Sequence, residues 1–182
     1  MFGLIIFLLL AISFYVGGRR GAPLQLMYFV GYFIAFLVAG NGYRALAEKI
    51  DLYIPYLSVT QDSEMVFYSQ EVSLDLDKAY YAAVAFILIL FVGWLVVKFI
   101  GIFMYNLRFK RLTANKDWLI GGILSMLTTY IVIFMLLTVL AMLPLATIQN
   151  LFRESAVARA IVEHSLFLTN FFEKIWVTNI LS

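Results

Sequence analysis

The sequence predicts an all-α, polytopic membrane protein, with four transmembrane helices followed by a C-terminal amphipathic helical segment. Three observations predict it. The 182 residues are 64% hydrophobic, with a mean hydropathy of +0.95. A soluble domain is about 45–50% apolar, so lipid must solvate much of this chain's surface. The apolar residues fall into four runs near or above the roughly 20 residues that cross a hydrocarbon core. The polar breaks between the runs alternate basic, acidic, basic, as repeated crossing requires.

Residues 2–18 read as the first span. No basic residue precedes the apolar stretch and no small-residue cleavage site follows it, so it is expected to be retained, not cleaved as a signal peptide. It is short, and thinning of the bilayer or snorkelling accommodates it. The break at 17–26, GGRRGAPLQL, reads as the tip of a helical hairpin. Gly17, Gly18 and Gly21 suit a tight turn, and Pro23 suits the first turn of the next helix. The second span covers 23–40, where Gly31, Ala35 and Ala39 line one helix face with small side chains for close packing.

Asn41 and Gly42 are expected to break that helix. Residues 41–78 then form a polar loop. Ala47, Ile50 and Ile54 recur with helical period, which predicts a short surface helix ended by Pro55. Residues 61–77 are acidic, with Asp62, Glu64, Glu71, Asp75 and Asp77. Paired carboxylates serve glycosidase chemistry or calcium binding. No calcium-loop pattern is present, and Asp75–Leu76–Asp77 suits the N-terminus of the next helix.

The third span covers 79–105. Lys98 lies near its end, where it either snorkels to the headgroups or finds a partner inside the bundle. No acidic residue lies in any apolar run to serve as that partner. Residues 106–117 carry Arg108, Lys110, Arg111 and Lys116 against Asp117 alone. The fourth span covers 118–143, opened by Trp118 at the interface and closed by Pro144. Residues 149–182 alternate Val157, Ile161, Leu168, Phe171, Phe172 and Ile175 with charged residues, and form an amphipathic interfacial tail. Trp176 would anchor it at headgroup level, and His164 sits within the same pattern. The domain organisation is thus 1–148 for the transmembrane domain, with an extracytoplasmic loop at 41–78, and 149–182 for the tail.

Composition excludes several function classes. A net charge of +2 is too small to argue for nucleic acid. The absence of cysteine excludes disulfides, thiolate catalysis and Cys-based metal sites, and one histidine offers little to a metal. No cofactor is expected. Ser13, Ser125 and the span threonines have no His, Lys or Asp at comparable depth to activate them, so the chain is expected not to be an enzyme. An export accessory and a scaffold that packs with a membrane protein partner or with itself remain. A small oligomeric channel or transporter subunit is the alternative.

Basic residues of short loops stay in the cytoplasm. Arg19 and Arg20 therefore place the first turn inside, and Arg108, Lys110, Arg111 and Lys116 place the third loop inside. Both termini and the acidic loop are then extracytoplasmic. The basic segments attract anionic headgroups of the bilayer, by about 1 kcal/mol per residue, and are expected to form one lipid- or partner-facing surface.

Three places in the chain resemble the colicin V production protein family, CvpA, of bacterial inner-membrane proteins. Arg20–Gly21 is followed by Gln25–Leu26, like the family's Arg-Gly and then an acidic or amide residue and leucine. Asp117 stands four residues before Gly121, like its Asp-x-x-x-Gly. Ser155 opens the tail that carries Phe171–Phe172. The family's further glycines are Ser125 and Thr129 here, which predicts a looser helix face. The resemblance implies a role in producing or exporting a peptide toxin and in envelope integrity. It supplies no catalytic residue.

Overall fold

The computed structural model describes residues 2–57, 65–73, 75–113 and 115–181. Asp62 and Glu64 of the acidic stretch lie outside them. The described residues are helical, with no strand. Four helices are long and apolar enough to cross a membrane: α1 (Phe2–Arg20), α2 (Ala22–Ile50), α4 (Leu76–Phe103) and α5 (Asp117–Ala141). A one-turn helix, α3 (Gln70–Ser73), precedes α4, and a 3-10 turn, Tyr105–Phe109, follows it. After α5 come α6 (Ala146–Glu154), α7 (Ala156–His164) and α8 (Leu166–Phe172), a π-helical stretch Glu173–Thr178, and α9 (Asn179–Leu181).

The second helix does not break at Asn41–Gly42. It runs on to Ile50 and absorbs the expected surface helix. Asn41 folds its side-chain amide back onto the Leu37 carbonyl, 2.9 Å away, and so bonds within the helix that it was expected to end. Gly42 weakens a helix interior by about 1 kcal/mol, but Tyr43 and Ile50 beyond it are buried, and that burial outweighs the glycine. At the far end of the chain, α5 stops at Ala141, since Pro144 disfavours helical backbone just before it.

The chain divides into two units. The first comprises Met1–Gly3, Gly42–Ile87 and Ile133–Ser182. Its core is aromatic: Phe86, Phe134, Phe152, Phe172 and Trp176 are all fully buried or nearly so. The Trp176 ring lies 4.5 Å from that of Phe172 and 5.6 Å from that of Phe86. Trp176 is therefore not a headgroup anchor. Its indole is large enough to fill the gap between α4 and the tail, and apolar burial of that size outweighs an interfacial position. Phe171, its neighbour in the aromatic pair, stays exposed.

Helix ends in this unit are closed by side chains. The last carbonyls of a helix have no partner within it. At the end of α5, the Gln149 amide donates to Ala141 O at 3.2 Å and to Leu143 O at 2.8 Å. Tyr56 Oη donates to Met142 O at 2.9 Å. Gln149 Oε1 in turn accepts from the Val66 amide at 2.9 Å. Ser155 caps α7 by accepting from the Ala158 amide at 3.3 Å. Asp75 pairs with Lys78 at 3.2 Å, and Asp77 Oδ1 accepts from the Lys78 amide at 2.8 Å, both at the exposed start of α4.

The second unit comprises Leu4–Asn41 and Leu88–Val132. Small residues set its packing. On α2 and α4, a methyl built on Gly31 would lie 2.8 Å from Val97, and one built on Gly93 would lie 2.5 Å from Ala35. On α1 and α5, a methyl on Gly121 would lie 2.6 Å from the Gly17 carbonyl oxygen. Backbones approach this closely only where side chains are absent.

Candidate functional site

The site is the polar end of the second unit, built around the α1–α2 turn. Helix α1 ends at Arg20 and Gly21 takes φ +81°, the left-handed conformation that closes a helix and that glycine alone adopts cheaply. Its amide bonds back to Gly17 O at 3.2 Å and Gly18 O at 3.3 Å. Helix α2 begins one residue later, at Ala22. A helix that opens Gly-Ala-Pro has no capping side chain of its own.

Asp117 supplies the cap. Its Oδ2 accepts from the Ala22 amide at 3.0 Å, and its Oδ1 accepts from the Leu112 amide at 2.9 Å. A carboxylate at the first position of α5 can cap its own helix or pair with Arg19 or Arg20. The carboxylate does neither: it closes the foot of α2 and the end of the 105–117 loop together. Among the described residues no arginine lies within ion-pair distance of it. Arg20 turns to the Tyr28 ring instead, 5.5 Å from its centroid. The physical reason is local. The Ala22 amide is a fixed, partly buried donor that would otherwise stand unpaired, whereas a guanidinium at a helix end has water and headgroups to bond to.

A second polar cluster joins α1 to α5. Ser13 Oγ lies 3.0 Å from Ser125 Oγ and 2.6 Å from Thr129 Oγ1, and donates to Ser125 O at 3.0 Å. Ser125 and Thr129, expected to loosen this face, bond across it. Each hydroxyl is small enough to keep the helices close and adds a bond where glycine adds none.

Among the described residues Lys98 meets no carboxylate. Its ammonium rests 4.4 Å from the Tyr28 centroid and 5.8 Å from that of Trp94. Gln25 is buried, and its Oε1 has no hydrogen-bond partner among the described residues. The remaining basic residues sit around the Asp117 hub: Arg19, Lys110, Arg111 and Lys116 exposed, Arg108 half-buried against Tyr105. The Arg108 carbonyl lies 3.8 Å from where a Gly21 methyl would stand, so the two basic segments meet at the turn.

An open cleft of about 540 Å3 in the first unit is lined by Phe67, Tyr68, Val72, Glu173 and Val177 among others. Burial, and then the Glu173 carboxylate, raise the Tyr68 hydroxyl above its ordinary pKa and hold it protonated. Among the described residues no three His, Cys, Asp or Glu side chains gather as a metal site would need.

Sequence reasoning missed the Ala22 amide, Gln149, and Tyr28 with Lys98. Only the first left a sign, the uncapped Gly-Ala-Pro start.

No solved structure matches the chain. Among curated proteins, it is 25% identical over 177 residues to an uncharacterized transmembrane protein, YshB, of Bacillus subtilis strain 168, covering 97% of each. Residues 2–166 match the family described as Colicin V production protein. With four apolar helices of spanning length and a family match over most of its sequence, the chain belongs to the colicin V production protein family.

Proposed function

We infer that this protein is a structural accessory of the bacterial cytoplasmic membrane, one that packs against a membrane partner, performs no chemistry itself, and serves toxin production or export and envelope upkeep. Family membership supports the biological setting. One observation carries the molecular reading: the span hydroxyls are engaged in helix packing. Ser13, Ser125 and Thr129 bond one another, Thr128 donates to Leu124 O at 2.9 Å, and Thr138 donates to Phe134 O at 2.9 Å. These are the groups a reaction would draw on, and here they join or brace helices.

The long helices also present broad apolar faces. Leu4, Phe7 and Ile12 on α1 and Phe91, Val92 and Phe99 on α4 are exposed. Such faces suit lipid and the flank of another helical protein alike. The basic turn and loop face the cytoplasm, and both termini face outward.

A photo-cross-linker placed at Arg108 and at Phe171 in intact membranes tests the reading. One constant protein adduct is expected. Its absence at both positions sinks the partner, and single-channel currents from purified protein in liposomes replace the scaffold with a pore. Orientation is tested separately, by a thiol reagent that cannot enter cells. A cysteine beside Lys110 should escape it, and the chain has no native cysteine to interfere.

A further inference from the structure

Two cations from different helices share one aromatic ring in the second unit. Arg20, the last residue of α1, lies 5.5 Å from the Tyr28 centroid, and Lys98 of α4 lies 4.4 Å from it. The charges are therefore no farther apart than about 10 Å, the two centroid distances laid end to end. That is within about one Debye length, so they repel. Other arginines here stack on tyrosines close by in sequence, Arg44 on Tyr43 and Arg108 on Tyr105. Only a tertiary arrangement brings Arg20, Tyr28 and Lys98 together.

That arrangement is held firmly. Tyr28 is buried in a small core with Leu24 and Val97, and Tyr32 stacks on it at 6.1 Å. Its hydroxyl edge lies against Gly101, where any side chain would collide with it. The ring is thus a fixed platform. The cations above it are half-buried, and among the described residues neither has an ion pair. A ring quadrupole attracts a cation, but it does not neutralise two. Converging cations without a carboxylate offer charge-assisted hydrogen bonds to an anion from outside the chain.

Their position says which. Arg20 closes α1, and Lys98 lies five residues before α4 ends at Phe103, about 7–8 Å at 1.5 Å per residue. Exposed Trp94 and Phe99 flank Lys98 on the same helix and offer an apolar track beside the charge. A soluble anion has no use for that track, whereas an acyl chain does. We propose that Arg20 and Lys98, set on Tyr28, bind the phosphate of an anionic lipid headgroup whose chain runs along α4. The site rests on the membrane setting, and it stands or falls independently of the protein partner.

The test uses purified full-length protein in detergent, titrated with phosphatidylglycerol, phosphatidylcholine or inorganic phosphate, with bound lipid counted by native mass spectrometry and stability followed by melting. Phosphatidylglycerol should bind about tenfold more tightly than phosphatidylcholine and raise the melting point more. The R20Q/K98Q variant should lose that preference, while K49Q/K174Q, which removes two exposed charges away from the ring and from the basic turn and loop, should keep it. If the double variant does not fold, K98Q alone spares the hairpin turn and should show a smaller loss of the same kind. An undiminished preference in the Arg20 and Lys98 variants overturns the site, as does an equal loss in K49Q/K174Q. Equal stabilisation by inorganic phosphate at matched concentration overturns the lipid assignment. Cross-linking of a protein partner reports on the accessory role alone.

Discussion

The carboxylate of Asp117 accepts the backbone amide of Ala22 at 3.0 Å, across 95 residues of chain. A helix-capping bond is normally made by the residue next door. Here the start of one apolar helix caps the start of another. Because Oδ1 holds the Leu112 amide as well, one side chain ties the hairpin turn to the basic loop.

Removing that carboxylate should therefore cost more than removing an arginine beside it. Asp117→Ala is expected to destabilise the protein by about 1–2 kcal/mol, the range of a lost cap, and lower its melting point by about 2–4 °C for each. Asp117→Asn keeps one acceptor and should fall between. Arg20→Asp should leave both Asp117 bonds in place, and the double swap of Asp117 and Arg20 should restore nothing. Melting of the four variants in one detergent checks this. Recovery in the double swap would reinstate an ion pair.

Two glycines should respond to alanine in opposite ways. At Gly17 a methyl would collide with Ser125 and the Gly121 carbonyl, so Gly17→Ala should cost about 1–3 kcal/mol by overpacking. At Gly40 nothing lies within 4 Å, so Gly40→Ala should raise stability by about 0.5–1 kcal/mol through helix propensity. Melting of both variants decides, and equal effects would mean that the α1–α5 contact is looser than described.

Gln149 bonds three backbone groups with one side chain: the Ala141 and Leu143 carbonyls and the Val66 amide. Gln149→Leu keeps the bulk and strands all three. Each buried unpaired group costs about 1–3 kcal/mol, so this should rank among the most damaging single changes in the tail. Protease sensitivity should rise at the 65–69 loop first, since the Val66 bond anchors it. A mild effect confined to the tail would show that the loop is held by other contacts.

Alkaline stability should depend on Tyr56. Burial, and then the negative charge of Asp77, push its hydroxyl up to about 12 from the ordinary 10. The folded state thus keeps its proton where the unfolded chain has lost it. The contribution is complete below pH 10 and is lost as the pH rises from 10 through about 12. Deprotonation also removes the donor to Met142 O. The difference in melting point between wild type and Tyr56→Phe should shrink over that window. A constant difference from pH 9 to 12 would rule the linkage out.

The lipid-crossing character was legible in the chain because hydropathy is local and additive. Twenty apolar residues in a row need no knowledge of their neighbours to prefer hydrocarbon. The turn was legible for a similar reason, since only glycine takes φ +81° cheaply and Gly21 stands where the chain must reverse. Asn41–Gly42 misled because residues that favour a helix end do not enforce one. The burial of Tyr43, the very next residue, and of Ile50 at the helix end decided that α2 continues.

By itself, then, the sequence determined how many helices meet lipid, where the charged segments lie between them, and which family the chain resembles. Only the tertiary structure decided that Asp117 serves Ala22 and not an arginine, that Gln149 closes the end of α5, and that Arg20 and Lys98 converge on Tyr28. Hydrogen bonds and charge–ring contacts act over a few ångströms and depend on direction. Partners so far apart along the chain meet those demands only after the helices have packed.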